Sequence, residues 1–472
     1  MRLLHASRRA RAKNGMTAMT VIHAAKILTP QGWETNARLS FDSHIVSIEP
    51  NVAAQAGDER HAVILPGMPN LHSHAFQRGM AGLAEKRGAS ADSFWTWREL
   101  MYRFALTMTP DQLEAIAGQL YVEMLEAGFT RVGEFHYLHH DQGGRSYADI
   151  AEMASRIVAA ADETGIGLTL LPVFYAHSAF GGAAPTEEQL RFVNDLDGYS
   201  ALLEACGKLT GTQDGAVVGV APHSLRAVTP DELRAVASFA QQGPIHIHIA
   251  EQLREVEDCL AWSGQRPVEW LLDHEAVDDR WCTIHATHMN ETETSRLAAS
   301  GAVVGLCPVT EANLGDGIFE ARAFTRNGGR FGIGSDSNIQ IGVTDELRQL
   351  EYSQRLAHRA RNVMAIEGGS TGRSLFTAAL QGSSALGAAV SGLISGAPAD
   401  LISLKTAHPE LMEHDPDSVL DGWIFAGHAT VDCVWVRGRK QVQEGRHHRR
   451  EDIARRFRVT MKAILDEAHR RA

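Results

Sequence analysis

From Met19 to Glu49, apolar and polar residues alternate in short runs: Thr20-Val21-Ile22-His23, Lys26-Ile27-Leu28, Ala37–Phe41 and His44–Ile48. Turn-forming clusters, Thr29-Pro30-Gln31-Gly32 and Asp42-Ser43, lie between them. A period of two broken by Pro, Gly and Asp predicts a small antiparallel β unit. The same texture returns at Asp400–Leu404 and Thr430–Val436. These two pieces, 19–64 and 391–472, can pair into one small β-sandwich domain. The last stretch, Glu451–Arg471, is charged and amphipathic and predicts a packed terminal helix.

Between 65 and 390 the pattern changes to short apolar runs alternating with longer helical ones. The strand candidates are Ala62–Leu65, Arg131–Phe135, Leu168–Phe174, Val217–Ala221, Ile245–Ala250, Trp281–His285, Ala302–Leu306 and Phe331–Gly334. Helical stretches such as Thr109–Ala127, Ser146–Thr164, Pro230–Gln241 and Glu291–Ala299 separate them. Two of these open on a capping Thr followed by Pro, at Thr109-Pro110 and Thr229-Pro230, where Pro loses nothing because its missing N–H has no helical partner. Eight such repeats predict an α/β fold, a (β/α)8 TIM-like barrel. A doubly wound open sheet is the alternative, but no Gly-rich phosphate turn supports it.

Composition narrows the function. The 472 residues are 44% hydrophobic and 22% charged, as in ordinary globular proteins. No run approaches the roughly 18 apolar residues of a membrane span. A formal charge of −12 disfavours nucleic acid as a partner, since phosphate binding calls for a basic surface. Five scattered cysteines without a Cys-x-x-Cys pair predict no disulfide framework and fit a cytoplasmic protein. Residues 1–18 carry five basic side chains and no acid; they lack the apolar core of a secretory signal and are expected to be a disordered extension, with Met16 or Met19 the alternative start.

In a barrel, chemistry sits at the C-terminal ends of the strands. His72 and His74 follow the first run at i, i+2, a spacing that puts two imidazoles on one face of a strand. With 23 histidines in the chain, about one such pair arises by chance, so the pair alone proves little. Further strand ends carry Glu134 and His136, then His177, His223, His246 and His248 with Glu251, His285 and His288, Cys307 and Asp336. Candidate ligands at one strand end after another, with apolar interiors between, form the signal.

The strings Pro66–His74, His248-Ile249-Ala250-Glu251, the lone His285 and Gly332-Ile333-Gly334-Ser335-Asp336 resemble the amidohydrolase superfamily over nearly all the chain after Met19. His74-Ala75-Phe76-Gln77-Arg78 and Cys307–Gly317 narrow the likeness to the branch that removes ammonia from N-formimino-L-glutamate in histidine degradation. The resemblance implies one Zn²⁺ per subunit held by His72, His74, His248 and Asp336. It also implies three catalytic side chains: Asp336 as general base, His285 on the developing tetrahedral centre, and Glu251 protonating the departing amine. Glu251 has an alternative role, orienting a ligand histidine. His246, on the same face two residues earlier, is expected deeper in the barrel. No Lys ends the fourth run, so the carboxylated lysine bridge of two-metal relatives is absent.

A dicarboxylate substrate needs forked cations in an otherwise acidic protein. Arg98, after the aromatic run Phe94–Trp97, and Arg226, after His223, are expected on loops above the site; ordinary surface ion pairs are the alternative. Phe94–Trp97 reads as a lid or as packing. The resemblance adds Gln77, Tyr137 and His223 as substrate contacts and suggests a homodimer. The segment after Pro308 departs from the Pro-x-Ser-Asn pattern of nucleobase deaminases, which favours the amino-acid-derived substrate. Deamination or hydrolysis of a purine, pterin or triazine-like ring is the competing activity, and a non-catalytic scaffold the remote one.

Overall fold

A computed structural model describes residues 19–87, 93–388, 392–406 and 415–471. The basic extension 1–18 and the expected domain junction at 390–391 lie outside the described residues.

The centre of the molecule is a ring of parallel strands. They are β1 (Met68–Ser73), β2 (Phe129–His136), β3 (Gly167–Phe174), a split β4 (Val217–Val218 and Ala221–Pro222), β5 (Ile245–Ile249), β6 (Trp281–His285), β7 (Val303–Leu306) and β8 (Arg330–Ile333). Pairing runs from β5 through β8 to β1 and on to β4. Bridges Val220↔Ile245 and Ser224↔His248 join β4 to β5 and complete the ring. Each strand is short and apolar because both faces are covered, as parallel sheets require. Helices between the strands start where the capping signals fall: the Thr109 hydroxyl accepts the Gln112 N–H at 3.3 Å, and helix Pro110–Glu126 buries Leu113, Ile116 and Leu120 against the barrel.

The small domain is one continuous sheet of eight antiparallel and parallel strands drawn from both ends of the chain. Leu401–Thr406 pairs antiparallel with Glu59–Pro66, which ties the C-terminal strands to the N-terminal ones. Ile22, Leu39, Phe41, Ile64, Leu401 and Trp435 share its core. Each such side chain contributes about 1.5–3 kcal/mol on burial. The terminal helix Arg450–Arg471 lies on helix Pro110–Glu126, with an Arg450–Glu126 ion pair and Ile453 fully buried.

Three expectations are corrected. Ala62–Leu65 is not the first barrel strand; it belongs to Glu59–Pro66 in the small sheet. Gly67 is the crossing point: a Cβ there would stand 2.2 Å from the Thr130 side chain, and the barrel begins one residue later. The helix expected over Ser146–Thr164 starts only at Glu152, because Asp149 accepts the Ala151 N–H at 2.9 Å and holds the preceding residues in a turn. Arg98 sits on no loop but in helix Phe94–Thr107, which the aromatic run Phe94–Trp97 opens.

Candidate active site

At the C-terminal mouth of the ring, β1 and the residue after β8 are stitched together by their backbones. The Asp336 N–H donates to the His72 carbonyl at 2.9 Å, and the His74 N–H donates to the Asp336 carbonyl at 3.0 Å. This fixes Asp336 beside both histidines. Ala250, His285 and Asp336 have φ of 50°, 68° and 43°, so three strands leave the ring through left-handed residues. Each costs on the order of 1–3 kcal/mol for a side chain other than glycine, the kind of strain that accumulates at functional sites.

Four side chains converge there. His72 Nε2 lies 3.1 Å from His74 Nε2 and 3.1 Å from His248 Nε2. Asp336 Oδ1 stands 3.4 Å from His72 Nε2 and 3.3 Å from His74 Nε2. His74 donates its Nδ1–H to the Phe135 carbonyl at 2.9 Å, and His248 donates its Nδ1–H to the His223 carbonyl at 3.0 Å. Both Nε2 lone pairs therefore face inward, the second-sphere arrangement usual for metal-binding imidazoles. Burial, then the neighbouring histidines, hold His72 and His248 well below the ordinary imidazole range; burial also lowers His74. Neutral imidazoles are what a metal takes up.

The set fits zinc. Ligands about 2.0–2.1 Å from one ion lie about 2.9–3.4 Å apart for angles between 90° and tetrahedral, and the four separations above fall in that range. His246 does not join them. It is fully buried and donates to the Ala385 carbonyl.

Around this set stand the expected catalytic groups. His285 Nε2 is 3.8 Å from Glu251 Oε1 and 3.9 Å from Asp336 Oδ2. Burial opposes charge on His285, but Glu251, Glu311 and Asp336 outweigh it and raise it to about 10. Burial raises the Glu251 carboxyl to about 7, with His285 pulling the other way. One residue sits near neutrality as an acid, then, and its neighbour is a cation.

A partly open cleft lies above the set. Gln77, Arg98, Tyr137, His223 and Arg226 all line it, together with Glu251 and His285. Gln77 Nε2 donates to Tyr137 Oη at 3.0 Å. Arg98 donates to Tyr102 Oη at 2.9 Å and to Tyr175 Oη at 3.4 Å. The Arg226 Nε is buried without a hydrogen-bond partner among the described residues. Among the described residues neither arginine is in an ion pair, so the surface-pair alternative does not hold for them. Phe94 is buried and Trp97 lines the cleft; the aromatic run packs as a wall.

Other strand-end candidates serve the scaffold. Glu134, raised to about 8 by burial, accepts the Ala75 N–H at 2.6 Å and the Tyr121 hydroxyl at 3.1 Å, bracing the turn after His74. His177 pairs with Glu232 at 2.9 Å, and His288 donates to the Asp316 carbonyl at 2.8 Å. His136 is buried beside His139, and burial lowers it to about 3. Cys307 is buried at the start of helix Pro308–Leu314.

Sequence reasoning missed Tyr102 and Tyr175, which hold Arg98, and Glu255, whose carboxylate accepts the Ala250 and Glu251 N–H groups at 3.2 and 3.1 Å. It also missed Glu311, which touches His285. Only Glu255, one helical turn beyond Glu251, left a trace in the spacing.

A parallel barrel with three inward imidazoles and a carboxylate at its strand ends defines a metal-dependent hydrolase. Comparison with known proteins agrees. Residues 63–440 match the amidohydrolase family, and residues 19–62 match the N-terminal domain of formimidoylglutamate deiminase HutF. Formimidoylglutamate deiminase of Pseudomonas aeruginosa is 50% identical over 95% of this chain and 100% of its own length. The 8-oxoguanine deaminase of the same organism is 28% identical over 83% of this chain and 85% of its own. A crystal structure of an amidohydrolase from Brucella melitensis superposes with a TM-score of 0.93 at 61% identity, covering 94% of this chain and 100% of that one. This chain belongs to the amidohydrolase family.

Proposed function

We propose that the chain hydrolyses N-formimino-L-glutamate to N-formyl-L-glutamate and ammonia, the activity named for its relative from Pseudomonas aeruginosa, with one zinc ion in the His72, His74, His248 and Asp336 set. The observation that carries the substrate is the pair Arg98 and Arg226. Two guanidinium groups, in no ion pair among the described residues and with Glu251 as their acidic neighbour in the cleft, line it with the ligand set in a protein of net charge −12. Two carboxylates would satisfy them, each as a charge-assisted hydrogen-bonded pair.

Bound zinc supplies Lewis-acid chemistry, lowering the pKa of water from 15.7 to roughly 7. The remaining steps belong to side chains. Asp336 takes a proton from the attacking water, and its main chain is already tied to that of His72 and His74. His285, cationic beside Glu251 and Asp336, donates a hydrogen bond to the tetrahedral centre as it forms. Glu251 gives its proton to the terminal amidine nitrogen, and the proton taken by Asp336 passes to the same nitrogen as its C–N bond breaks. Ammonia leaves, the hydroxyl of the tetrahedral centre returns its proton to Glu251, and the carbon keeps the water oxygen as a formyl group. An amidine nitrogen leaves poorly unless protonated, and a carboxyl at about 7 is matched to the task. Gln77, Tyr137 and His223 contact the substrate between the arginines and the ligand set.

The test is kcat/KM of zinc-loaded protein for N-formimino-L-glutamate beside a panel of purines, pterins and triazines. Turnover of the diacid alone supports the reading. Turnover of a ring compound alone keeps the hydrolytic machinery and overturns the substrate.

A further inference from the structure

His285 is held from two sides. Its Nε2 faces Glu251 and Asp336, and its Nδ1 lies 3.2 Å from Glu311 Oε1. The same Glu311 oxygen accepts the Cys307 N–H at 2.8 Å. His285 and Glu311 are 1% and 5% exposed, so water does not compete for either. Glu311 stands in the first turn of helix Pro308–Leu314. An oxygen already taking one N–H from the backbone is an acceptor toward the imidazole, so Nδ1 carries the proton.

The backbone explains why such a tie is needed. His285 and Ala286 both sit in the left-handed region, at φ 68° and 48°, and the Ala286 N–H is shared between the Ile249 and Ile284 carbonyls at 3.0 Å each. The strand thus ends in two strained residues, and the ring direction is not set by regular strand geometry. An external partner has to set it.

We infer that Glu311 is a positioning residue for the reaction: through its hydrogen bond from Nδ1 it fixes the His285 ring with Nε2–H aimed at the reacting atoms. The inference rests on the reaction proposed above, in which His285 meets the tetrahedral centre. Glu311 is neither among the residues that line the cleft nor in the four-residue ligand set; it reaches the site through His285.

The experiment compares Glu311→Gln with the unmutated zinc-loaded protein. Gln keeps an oxygen for the Cys307 N–H and nearly the same volume, but loses the charge that orients the ring. The expected result is a kcat about 10- to 100-fold lower, the usual loss for an outer partner of an active-site ligand, with KM within about threefold and zinc content unchanged. In a His285→Gln background the same change should cost nothing further, as a residue acting through His285 requires. A folded, zinc-replete Glu311→Gln with kcat unchanged, or equal losses in both backgrounds, overturns the inference.

A second readout needs no substrate. In protein labelled with ¹⁵N-histidine, with His285→Gln identifying the resonance, Nδ1 of His285 should be protonated and its ring proton slow to exchange. An unprotonated Nδ1 overturns the inference even where Glu311→Gln fails to fold. Absence of turnover in the unmutated protein would instead overturn the reaction and leave the spectrum to decide Glu311.

Discussion

Gly334 lies directly against His72: a Cβ on Gly334 would stand 2.8 Å from the His72 nitrogen and 2.9 Å from both its Cβ and its carbonyl oxygen. These are mostly backbone atoms of β1, which cannot swing aside. Gly334 ends the strand that delivers Asp336, and His72 ends the strand that delivers two imidazoles, so their approach sets the ligand separations. Gly334→Ala is therefore expected to weaken zinc binding by about tenfold or more, since ligand geometry must hold within roughly 0.2 Å. Metal content after dialysis against a weak chelator checks it. Full retention of zinc would show that the two strands can part without harm.

Glu251 links pH to rate. As the proton donor it is active when protonated, so activity should fall as pH rises through about 7, the value to which burial raises it. Glu251→Gln should lower kcat by about 10²- to 10⁴-fold and remove that alkaline limb. A pH profile of kcat for both proteins decides this; an unchanged limb in Glu251→Gln would assign it to another group.

Arg226→Met removes a cation whose Nε has no hydrogen-bond partner among the described residues. Losing one member of a buried charge pair costs about 2–5 kcal/mol, so kcat/KM for the diacid should fall by roughly 30-fold to several thousand-fold. Arg98→Met should behave alike, while Tyr102→Phe, which only loosens Arg98, should cost about 1 kcal/mol. Steady-state kinetics with the diacid and with its monoamides separates the two arginines. Equal losses on substrates lacking a carboxylate would contradict the clamp.

Buried neutral histidines predict acid lability. Burial lowers His246 and His447 to about 4. His447 donates to the Thr164 carbonyl at 2.9 Å and accepts the Arg449 N–H at 3.1 Å. Unfolded histidine titrates near 6.5, so the unfolded chain binds more protons between about 6.5 and 4. Their stabilisation is complete above about 6.5 and is lost as pH falls toward 4. For His246 the loss at pH 5 is about 2 kcal/mol. Melting temperatures of metal-free protein at pH 7.5, 6 and 5 should decline, most steeply below 6.5. A constant or rising melting temperature would contradict the account.

The legibility of this site followed the range of the interactions. His72 and His74 were visible because strand period alone puts i and i+2 on one face, and Asp336 because it closes an apolar strand. His248 was separable from His246 because it stands at the strand end, where the chain turns outward. Ala62–Leu65 was misassigned because an apolar run shows that a strand is buried, not which sheet it joins; Gly67 hides the crossing. Arg98 was legible as a cation but not as helical, since Phe94–Trp97 carries no helical period of its own. Tyr175 reaches Arg98 and Glu311 reaches His285 from other elements far along the chain, and neither local spacing nor residue type marks those contacts.

The most direct measurement is ¹³C NMR of N-formimino-L-glutamate labelled at the formimino carbon, incubated with zinc-loaded protein. Protonation of the terminal nitrogen by Glu251 predicts a labelled formyl group on glutamate and one equivalent of ammonia. Labelled formamide with free glutamate would mean that the other C–N bond breaks, and an unchanged signal that the diacid is not the substrate; either result would contradict the function proposed here.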